Sequence, residues 1–271
     1  MFEYNETLEQ ALRRNVDDAL REDIGRVAWT AQLVPAGKRV QARVIAKEDA
    51  VIAGQPWFES CVVRLDPNAS VNWLAAEGAD VTAGTEVCRI TGDARALLSA
   101  ERSALNFLQM LSGVATVTRS YVEQIADVSP NPKGCAMRDT RKTLPGLRQA
   151  QKYAVRIGGA TNHRMALWDG ILIKENHIAA AGGVCQALER AQRLDADVPV
   201  QIEVEDLSEL DEALAAGATN ILLDDFSLDD MKRAFTLNAG RARYWRCRAG
   251  STWIRCAQSP RPAWTGSPAA S

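Results

Sequence analysis

The 271-residue sequence predicts an α/β protein in which an antiparallel sheet region is followed by parallel strands that alternate with helices. Between residues 38 and 95, short runs such as RVQARVI alternate apolar with polar residues and end near Gly, Pro or Asp, as antiparallel strands do. After residue 133, apolar strands alternate with amphipathic helices, a pattern typical of βαβ units. Apolar strand centres such as ILI and ILL suit a sheet that is covered on both faces.

Helices are predicted on both sides of the antiparallel region. Residues 5–24 carry apolar side chains at helical spacing with charged residues between them. Residues 95–127 form a longer helical stretch, in which Gly113 is a candidate break because glycine weakens a helix interior. Another helix is expected to open near Pro145 and to stop at the glycine pair 158–159.

Composition excludes several classes of protein. The formal charge of −2 and the pI of about 5.8 give no global bias toward nucleic acid. The sequence has no apolar run of about 18 residues, so we expect no membrane span, and the N-terminus does not resemble a signal peptide. Six scattered cysteines without a CxxC pair argue against a zinc site or a disulfide framework, which predicts a reducing, cytoplasmic location.

Charged residues follow four successive predicted strands. The strands GCAMRDT, GILIKENHI, VPVQIEVED and TNILLDDF end in RDT, KENH, EVE and DDF. In parallel α/β proteins, ligands bind at the carboxyl ends of the strands. Charges of both signs at four such ends therefore predict a binding site rather than ordinary solvated strand ends.

Cationic side chains dominate this predicted site. Guanidinium groups pair with carboxylates or phosphates through two hydrogen bonds, and lysine adds a compact positive charge. Such a set suits a substrate that carries several negative groups. The cations are Arg138, Arg141, Lys142, Arg164 and Lys174.

Two carboxylates complement the cations. Glu203 and Asp224 each lie at a strand end and offer the oxygen ligands that suit Mg²⁺ bridging to a diphosphate, or that hold ribose hydroxyls and a developing cation. Their neighbours Glu205 and Asp225 are expected to point away, because side chains alternate along a strand. Anion receptors beside two carboxylates indicate phosphoribosyl or phosphoryl chemistry.

Three of these residues admit a second interpretation. His163 could be a core histidine bonded to the backbone. Its neighbour Arg164 gives a functional role about the same weight as that interpretation. His177 lies past a strand end and is interpreted as orienting its neighbours. Lys174 follows ILI, so it could form a Schiff base as a desolvated amine or contact an anion directly.

These residues belong to a longer stretch, DTRKTLPGLRQAQKYAVRIGGATNHRMALWDGILIKENHI, that resembles the central signature of the quinolinate phosphoribosyltransferase family. REDIG at 21–25, VIAGQ at 51–55 and ERSALNFLQMLSGVAT at 101–116 agree with the same family in order, as do the IEVE and LLDD strands. The resemblance covers roughly residues 5–240.

The resemblance implies a two-domain α/β fold. Residues 1–115 would form an α+β N-terminal sandwich domain, with the long helix 95–127 as the connection. Residues 116–242 would form an incomplete α/β barrel with parallel strands, which is the catalytic domain and is truncated here. Residues 243–271 are expected not to be native to this fold.

The resemblance also implies a function and site roles. The enzyme would be a pentosyltransferase of NAD biosynthesis that joins quinolinate to 5-phosphoribosyl 1-diphosphate with Mg²⁺ and without an organic cofactor. Its products would be nicotinate mononucleotide, diphosphate and CO2. Arg102 resembles the family arginine that reaches into the neighbouring subunit's site, which implies a homodimer. The expected substrate-binding residues are Arg102, Thr140, Arg141, Lys142, His163, Arg164, Lys174, Glu203 and Asp224. Those expected to carry catalysis are Lys142, Lys174, Glu203 and Asp224, and those expected to hold the metal are Glu203 and Asp224.

Two other functions remain open at this point. A Schiff-base aldolase could use Lys174, although the many cations argue against it. A non-catalytic paralogue that binds nucleotides or anions would use the same cations without releasing diphosphate.

The last 29 residues differ from the rest in composition. From residue 243 the chain holds five arginines, three of the seven tryptophans and no Asp or Glu, and it shows no amphipathic period or strand run. A basic tail that binds an anionic partner is one interpretation. We favour a frameshift, because GC-rich codons for this tail, read two nucleotides later from Ala242, give ALLEVSGGVDLDTVRAIAETGVDRIS.

The shifted reading resembles the family's next strand–helix unit. It contains the SGG turn whose backbone N–H groups would bind phosphate. A chain without that turn and without the last strands is expected to be poorly stable or weakly active, with an exposed barrel edge.

Overall fold

The computed structural model of the chain describes residues 5–126, 135–238, 244–249 and 252–256. The described residues fall into two compact units. The first unit comprises 1–120 with 142–160, and the second comprises 121–141 with 161–271. The predicted division of the chain at residues 115 and 242 stays a prediction. In the structure, residues 142–160 belong to the first unit.

The first unit combines short antiparallel strands with long helices. Its strands are β1 (Arg39–Ile45), β2 (Ala50–Val51), β3 (Ser70–Trp73), β4 (Asp80–Val81) and β5 (Glu86–Asp93). Its helices are α1 (Leu8–Ile24), a 3-10 turn (Thr30–Leu33), α2 (Gln55–Leu65), α3 (Ala94–Ile125, which extends into the second unit) and α4 (Arg148–Ile157). The strands form an antiparallel sheet in the order β1–β5–β3 and a separate β2–β4 pair. The antiparallel region predicted from alternation is thus confirmed.

The core of the first unit is built around α2 and α3. Trp57 and Leu111 are fully buried, together with Phe58. The indole N–H of Trp57 donates to Asn15 Oδ1 at 3.3 Å, and Asn15 Nδ2 donates to the carbonyl of Gly146 at 3.0 Å. This chain of bonds ties α1 and α2 to the turn that precedes α4.

Helix α3 is continuous through Gly113, so the predicted break there is wrong. Gly113 is exposed, whereas the apolar stripe of the helix, which includes Leu108, Leu111 and Ala115, is buried in the core. Packing of that stripe outweighs the roughly 1 kcal/mol that one glycine costs a helix.

The second unit is built on one six-stranded sheet. Its strands are β6 (Cys135–Arg138), β7 (Ile171–Ile173), β8 (Val200–Val204), β9 (Asn220–Leu223), β10 (Tyr244–Ala249) and β11 (Thr252–Cys256). Its helices are α5 (Glu175–Ala181), α6 (Val184–Arg193), α7 (Leu207–Ala215) and α8 (Leu228–Asn238). The order is β6–β11–β10–β9–β8–β7, and β7 to β10 are parallel. The predicted α/β class with parallel strands is confirmed.

Strands β8 and β9 have two different faces. Ile202, Val204, Ile221 and Leu223 pack with the helices in a single apolar cluster. The alternate residues, among them Glu203, face the other way because side chains alternate along a strand. The polar face of β8 and β9 therefore belongs to the side of the sheet that the helices do not cover.

Two strands lie in the tail, although its sequence shows no evident strand run. Strand β10 pairs in parallel with β9, and β11 pairs antiparallel with both β10 and β6. The edge of β9 is therefore covered by β10 in the structure, and the six-stranded sheet ends at β6 and β7. Backbone pairing with β9 does not require the amphipathic period that the tail lacks.

Within the part of the chain that the structure describes, no helix is both long enough and apolar enough to span a bilayer.

Gly158 sits where α4 ends against α3. A Cβ added there would lie 2.6 Å from the carbonyl oxygen of Ala115 and 2.6 Å from Thr118 Cβ. Gly158 has a negative φ of −70°, so the need for glycine is steric rather than conformational. Gly158 thus allows the end of α4 to pack closely against α3.

We predict that Gly158→Ala lowers the free energy of unfolding by about 2 kcal/mol, because backbone atoms have to move to admit the methyl group. The matched control is Gly113→Ala, whose Cβ would meet no atom within 4 Å and which should be neutral or stabilise the helix by up to about 1 kcal/mol. Thermal melts of both variants measure the difference. Equal melting temperatures would contradict the close packing.

Candidate active site

The carboxyl ends of β7, β8 and β9 bring three charged side chains together. Lys174 follows β7, Glu203 lies within β8 and Asp224 follows β9. The strands are aligned by Ile173 opposite Ile202 in one pair and by the Asp224 N–H, which donates to the Val204 carbonyl at 2.9 Å, in the next. Parallel pairing therefore sets all three side chains at one edge of the sheet.

Glu203 is the most buried acid of this cluster, with 3% of its surface exposed. Lys174 Nζ lies 3.5 Å from its Oε1 and 3.4 Å from its Oε2. The second contact is an ion pair without hydrogen-bond geometry, and Oε2 has no hydrogen-bond partner among the described residues. A buried acceptor without a hydrogen bond points to a donor or cation supplied by a ligand.

Burial raises the pKa of Glu203 to about 7. Loss of hydration is the largest cause, and the carboxyl group of Asp224 raises the pKa further, while the Lys174 ammonium lowers it. Because the carboxyl groups of Glu203 and Asp224 interact, they favour sharing one proton when no cation or hydroxyl group is bound between them. The pair is thus suited to hold a metal ion or ribose hydroxyls.

Asp139, just past β6, holds the turn that carries His163. Its Oδ1 accepts from the backbone N–H of His163 at 2.7 Å, and its Oδ2 accepts from Asn162 Nδ2 at 2.6 Å. The Thr161 N–H donates to the Met137 carbonyl at 2.9 Å, so the turn is also tied to β6 through the backbone. His163 thereby acquires a fixed position in the second unit.

The imidazole of His163 contacts a buried glutamine on the polar face of β8. His163 Nε2 lies 3.0 Å from Gln201 Oε1, and Gln201 Nε2 donates to Asn220 Oδ1 at 3.2 Å. Gln201 has 3% of its surface exposed. The partner of the His163 ring, Gln201, lies two residues before Glu203 and therefore on the same face of β8. This contact links the ring to the strand that carries the buried acid.

Arg164 is held by the loop that leads to β7. Its Nη1 donates to the Gly170 carbonyl at 2.9 Å, and Asp169 accepts from the backbone N–H groups of Met165 and Ala166 at 2.6 and 2.9 Å. Its buried Nε has no hydrogen-bond partner among the described residues. Burial lowers the pKa of Arg164, and the nearby guanidinium of Arg141 lowers it further. Two guanidinium groups close enough to repel each other form a receptor for an anion.

The other predicted site residues have these places. Thr140 and Arg141 follow β6 in the second unit. Lys142 and Arg102 belong to the first unit and are exposed, Arg102 on α3. The structure thus brings together Arg141, Arg164, Lys174, Glu203 and Asp224, with His163 attached through Gln201.

Three lower-ranked residues behave as their sequence positions indicated. His177 Nδ1 accepts from the backbone N–H of Lys174 at 3.1 Å and so orients its neighbour at the start of α5. Glu205 and Asp225 are exposed, whereas Glu203 and Asp224 are buried. Alternation accounts for Asp225, which is one residue from Asp224, but not for Glu205, which is two residues from Glu203 and is exposed because it lies beyond the end of β8.

Sequence reasoning missed the supporting residues Gln201 and Asn220, and named Asp139 only as part of a charged strand end. Gln201 could have been found by its spacing of two from Glu203, which puts both on one face of β8. Asn220 carried no signal, because a single asparagine at the start of a strand is common.

Glu203 and Asp224 are the candidate metal ligands of this cluster. No group of three or more His, Cys, Asp or Glu residues capable of holding a metal ion occurs among the residues that the structure describes. Mg²⁺ is commonly bound by one or two carboxylates together with substrate phosphates. Glu203 and Asp224, with the Glu203 Oε2 that accepts no hydrogen bond from the described residues, fit that mode of binding and not a site made by protein ligands alone.

Comparison with known proteins relates both units to one family. The model for "Quinolinate phosphoribosyl transferase, N-terminal domain" matches residues 28–112, and that for the C-terminal domain matches residues 114–249. A protein of Synechocystis named probable nicotinate-nucleotide pyrophosphorylase (carboxylating) is 44% identical over 219 residues, which cover 80% of this chain and 72% of the relative. The Mycobacterium leprae nicotinate-nucleotide pyrophosphorylase (carboxylating) is 40% identical over 223 residues, covering 80% and 76%.

Solved structures agree with the sequence matches. The nicotinate-nucleotide pyrophosphorylase from Francisella tularensis superposes with a TM-score of 0.83 at 39% identity, covering 90% of this chain and 84% of that one. The corresponding protein from Ehrlichia chaffeensis superposes with a TM-score of 0.80 at 30% identity, covering 87% and 84%.

We predict that Glu203 makes the stability of the chain fall as pH rises from about 4.5 to about 7. The folded state keeps a proton in this window that the unfolded state has released, so its advantage is complete at low pH and lost above pH 7. The full difference is on the order of 3 kcal/mol. Glu203→Gln should flatten this slope, while the exposed control Glu212→Gln should leave it unchanged. Urea melts across the window measure it, and an unchanged slope in Glu203→Gln would contradict the raised pKa.

Proposed function

The chain belongs to the quinolinate phosphoribosyl transferase family, and we propose that it transfers the phosphoribosyl group of 5-phosphoribosyl 1-diphosphate to quinolinate. The products are nicotinate mononucleotide, diphosphate and CO2, in NAD biosynthesis. The observation that carries this proposal is the contact of buried acids with cations at the ends of β7 to β9, where Lys174 lies against Glu203 beside Asp224.

The acceptor, quinolinate, carries two carboxylates on a pyridine ring. Arg141, Arg164 and Lys174 supply three positive charges, and His163 adds a ring held in a fixed position. Guanidinium groups bind carboxylates through paired, charge-assisted hydrogen bonds. Thr140 and Lys142 flank Arg141 in the sequence and are proposed to complete the binding of the two substrates.

The donor carries a 5-phosphate and a diphosphate. Glu203 and Asp224 are proposed to hold its ribose hydroxyls and Mg²⁺, in keeping with the two-carboxylate donor set. When bound, Mg²⁺ supplies positive charge that stabilises the departing diphosphate. No organic cofactor is proposed.

Chemistry at the ribose needs little from the protein beyond charge. The pyridine nitrogen forms a bond to C1 of the ribose while the bond from C1 to the diphosphate oxygen breaks, and positive charge develops on the ribose ring. The carboxylates of Glu203 and Asp224 stabilise this charge. The carboxylate next to the ring nitrogen then leaves as CO2, its electron pair is accepted toward the positively charged nitrogen, and a proton takes its place.

The ion pair of Lys174 bears on the aldolase alternative. Schiff-base formation requires a neutral amine, and Lys174 Nζ lies 3.4 Å from a buried carboxylate, an arrangement that suits an ammonium ion. We therefore propose that Lys174 contacts the anionic acceptor.

We further propose a cytoplasmic homodimer. The support for a dimer is Arg102, a cation exposed on α3 of the first unit, whose position resembles the family arginine that enters the neighbouring site. Residues 1–115 and 116–242 are proposed as the sandwich and barrel domains, in keeping with the family matches at 28–112 and 114–249. The frameshift proposal for the tail is supported by its composition, and residues 250–271 lie outside both family matches.

The direct test is release of CO2 and diphosphate from quinolinate and the donor, using the chain as written and a frame-restored chain. We expect equal amounts of both products from the frame-restored chain, and a rate at least about a hundredfold lower from the chain as written, because backbone donors to phosphate are missing. Binding without either product would favour the non-catalytic alternative. Equal rates from both chains would contradict the proposed effect of the tail.

The shared site of a homodimer predicts complementation. Arg102→Ala and Lys174→Met, made in the frame-restored chain, should each be nearly inactive. Mixed and reassociated, they should recover about a quarter of the activity, since half of the dimers are mixed and each mixed dimer has one intact site. No recovery, although mixed dimers form, would contradict a shared site.

A further inference from the structure

The loop that begins at Arg164 and ends at Gly170 exposes apolar side chains at its tip. Leu167 and Trp168 have 71% and 53% of their surface exposed. A side chain that stays in water gains little from packing, so these two residues do not fix the shape of the loop. The shape therefore depends on the polar contacts that close it.

Asp169 provides two of these contacts. Its Oδ2 accepts from the backbone N–H of Met165 at 2.6 Å, and its Oδ1 accepts from that of Ala166 at 2.9 Å. Both oxygens of one carboxylate thus hold the start of the loop against its end. An asparagine at this position would turn an NH2 group toward one of the two N–H donors, so it would not replace the carboxylate.

The same loop determines which side of the Arg164 guanidinium group is available to a ligand. Nη1 donates to the Gly170 carbonyl at 2.9 Å. The opposite edge of the planar group carries Nε and Nη2, and the buried Nε has no hydrogen-bond partner among the described residues. A buried donor without an acceptor is costly, and a ligand that supplies the acceptor removes this cost. An edge with two parallel N–H groups matches the two oxygens of a carboxylate.

We propose that Asp169 is a positioning residue that directs the Nε–Nη2 edge of Arg164 toward a carboxylate of the acceptor. It acts by closing the loop, which keeps the Gly170 carbonyl where Nη1 binds it and so sets the orientation of the guanidinium group. The identity of the acceptor as an aromatic dicarboxylate rests on the proposed function, whereas the effect of Asp169 on Arg164 does not.

The charge of Asp169 supports the same role. Burial and the Arg141 guanidinium lower the pKa of Arg164, and the negative charge of Asp169 opposes both effects. Asp169 therefore lies close enough to Arg164 to favour its cationic form, which is the form that binds a carboxylate.

The first test is calorimetric binding of quinolinate to the whole chain. Asp169→Asn should weaken binding about tenfold, as expected for one charge-assisted hydrogen bond that is lost when the guanidinium group changes its orientation. The matched control Asp197→Asn removes an exposed acid from the same unit and should leave binding unchanged. Unchanged binding in Asp169→Asn, or equal weakening in both variants, would overturn the proposal.

A double-mutant cycle with Arg164→Lys distinguishes this role from a general structural one. Lysine keeps the positive charge but has no Nε–Nη2 edge, so Asp169 no longer has a group to position. In the Arg164→Lys background, Asp169→Asn should change quinolinate binding by less than about twofold. A full tenfold loss in that background would mean that Asp169 acts independently of Arg164, and would overturn the proposal.

The second test does not need the acceptor. The Nε–H signal of Arg164 is observed by NMR of the whole chain labelled with ¹⁵N-arginine, and its absence in Arg164→Lys assigns it. Asp169→Asn should shift this signal because the loop that orients the guanidinium group is opened, whereas Asp197→Asn should leave it in place. An unchanged Arg164 signal in Asp169→Asn would overturn the proposal.

The two tests separate this proposal from the proposed function. A starting chain that binds no quinolinate, but whose Arg164 signal shifts in Asp169→Asn, would contradict the proposed function and support the positioning of Arg164. A starting chain that binds quinolinate, with an Arg164 signal that does not respond to Asp169→Asn, would do the reverse.

Discussion

Burial of the Glu203 carboxylate is the constraint on which the rest of the site depends. An acid that is 3% exposed is costly to ionise, and the single ammonium of Lys174, at 3.4 to 3.5 Å, compensates only in part. Asp224 adds to the cost, and the pKa of Glu203 rises to about 7. The two carboxyl groups of Glu203 and Asp224 therefore outnumber the one ammonium group of Lys174. A ligand that brings a cation or hydroxyl groups supplies the partner that Glu203 Oε2 lacks.

The alternation of side chains along the strands links the packing of the core to the arrangement of the site. Residues such as Ile202 and Ile221 join the helix-covered core, so Glu203 and Gln201 have to face the opposite side. A shift of β8 by one residue would bury the acid in the apolar cluster and expose the isoleucine. The same register that packs the core thus places Gln201 and Glu203 together on the opposite face of β8.

Much of this arrangement could be predicted from sequence, because it depends on local pattern. Charges directly after apolar strands predicted the cluster of Lys174, Glu203 and Asp224, and alternation separated Asp224 from its neighbour Asp225. Contacts between distant segments could not be predicted. The packing of 142–160 with the first unit, the continuity of α3 through Gly113 and the pairing of β10 with β9 depend on tertiary partners that no local period records. The Gln201–Asn220 contact likewise joins two ordinary amides that only the sheet brings together.

The most direct test of a receptor for two carboxylates compares the equilibrium binding of quinolinate with that of nicotinate, which lacks one of them. If Arg141, Arg164 and Lys174 engage both carboxylates, quinolinate should bind at least about tenfold more tightly, as expected for one charge-assisted hydrogen bond. The difference should shrink at high salt, since screening weakens ion pairs. Equal affinity for the two acids at low salt would contradict a site built to bind a dianion.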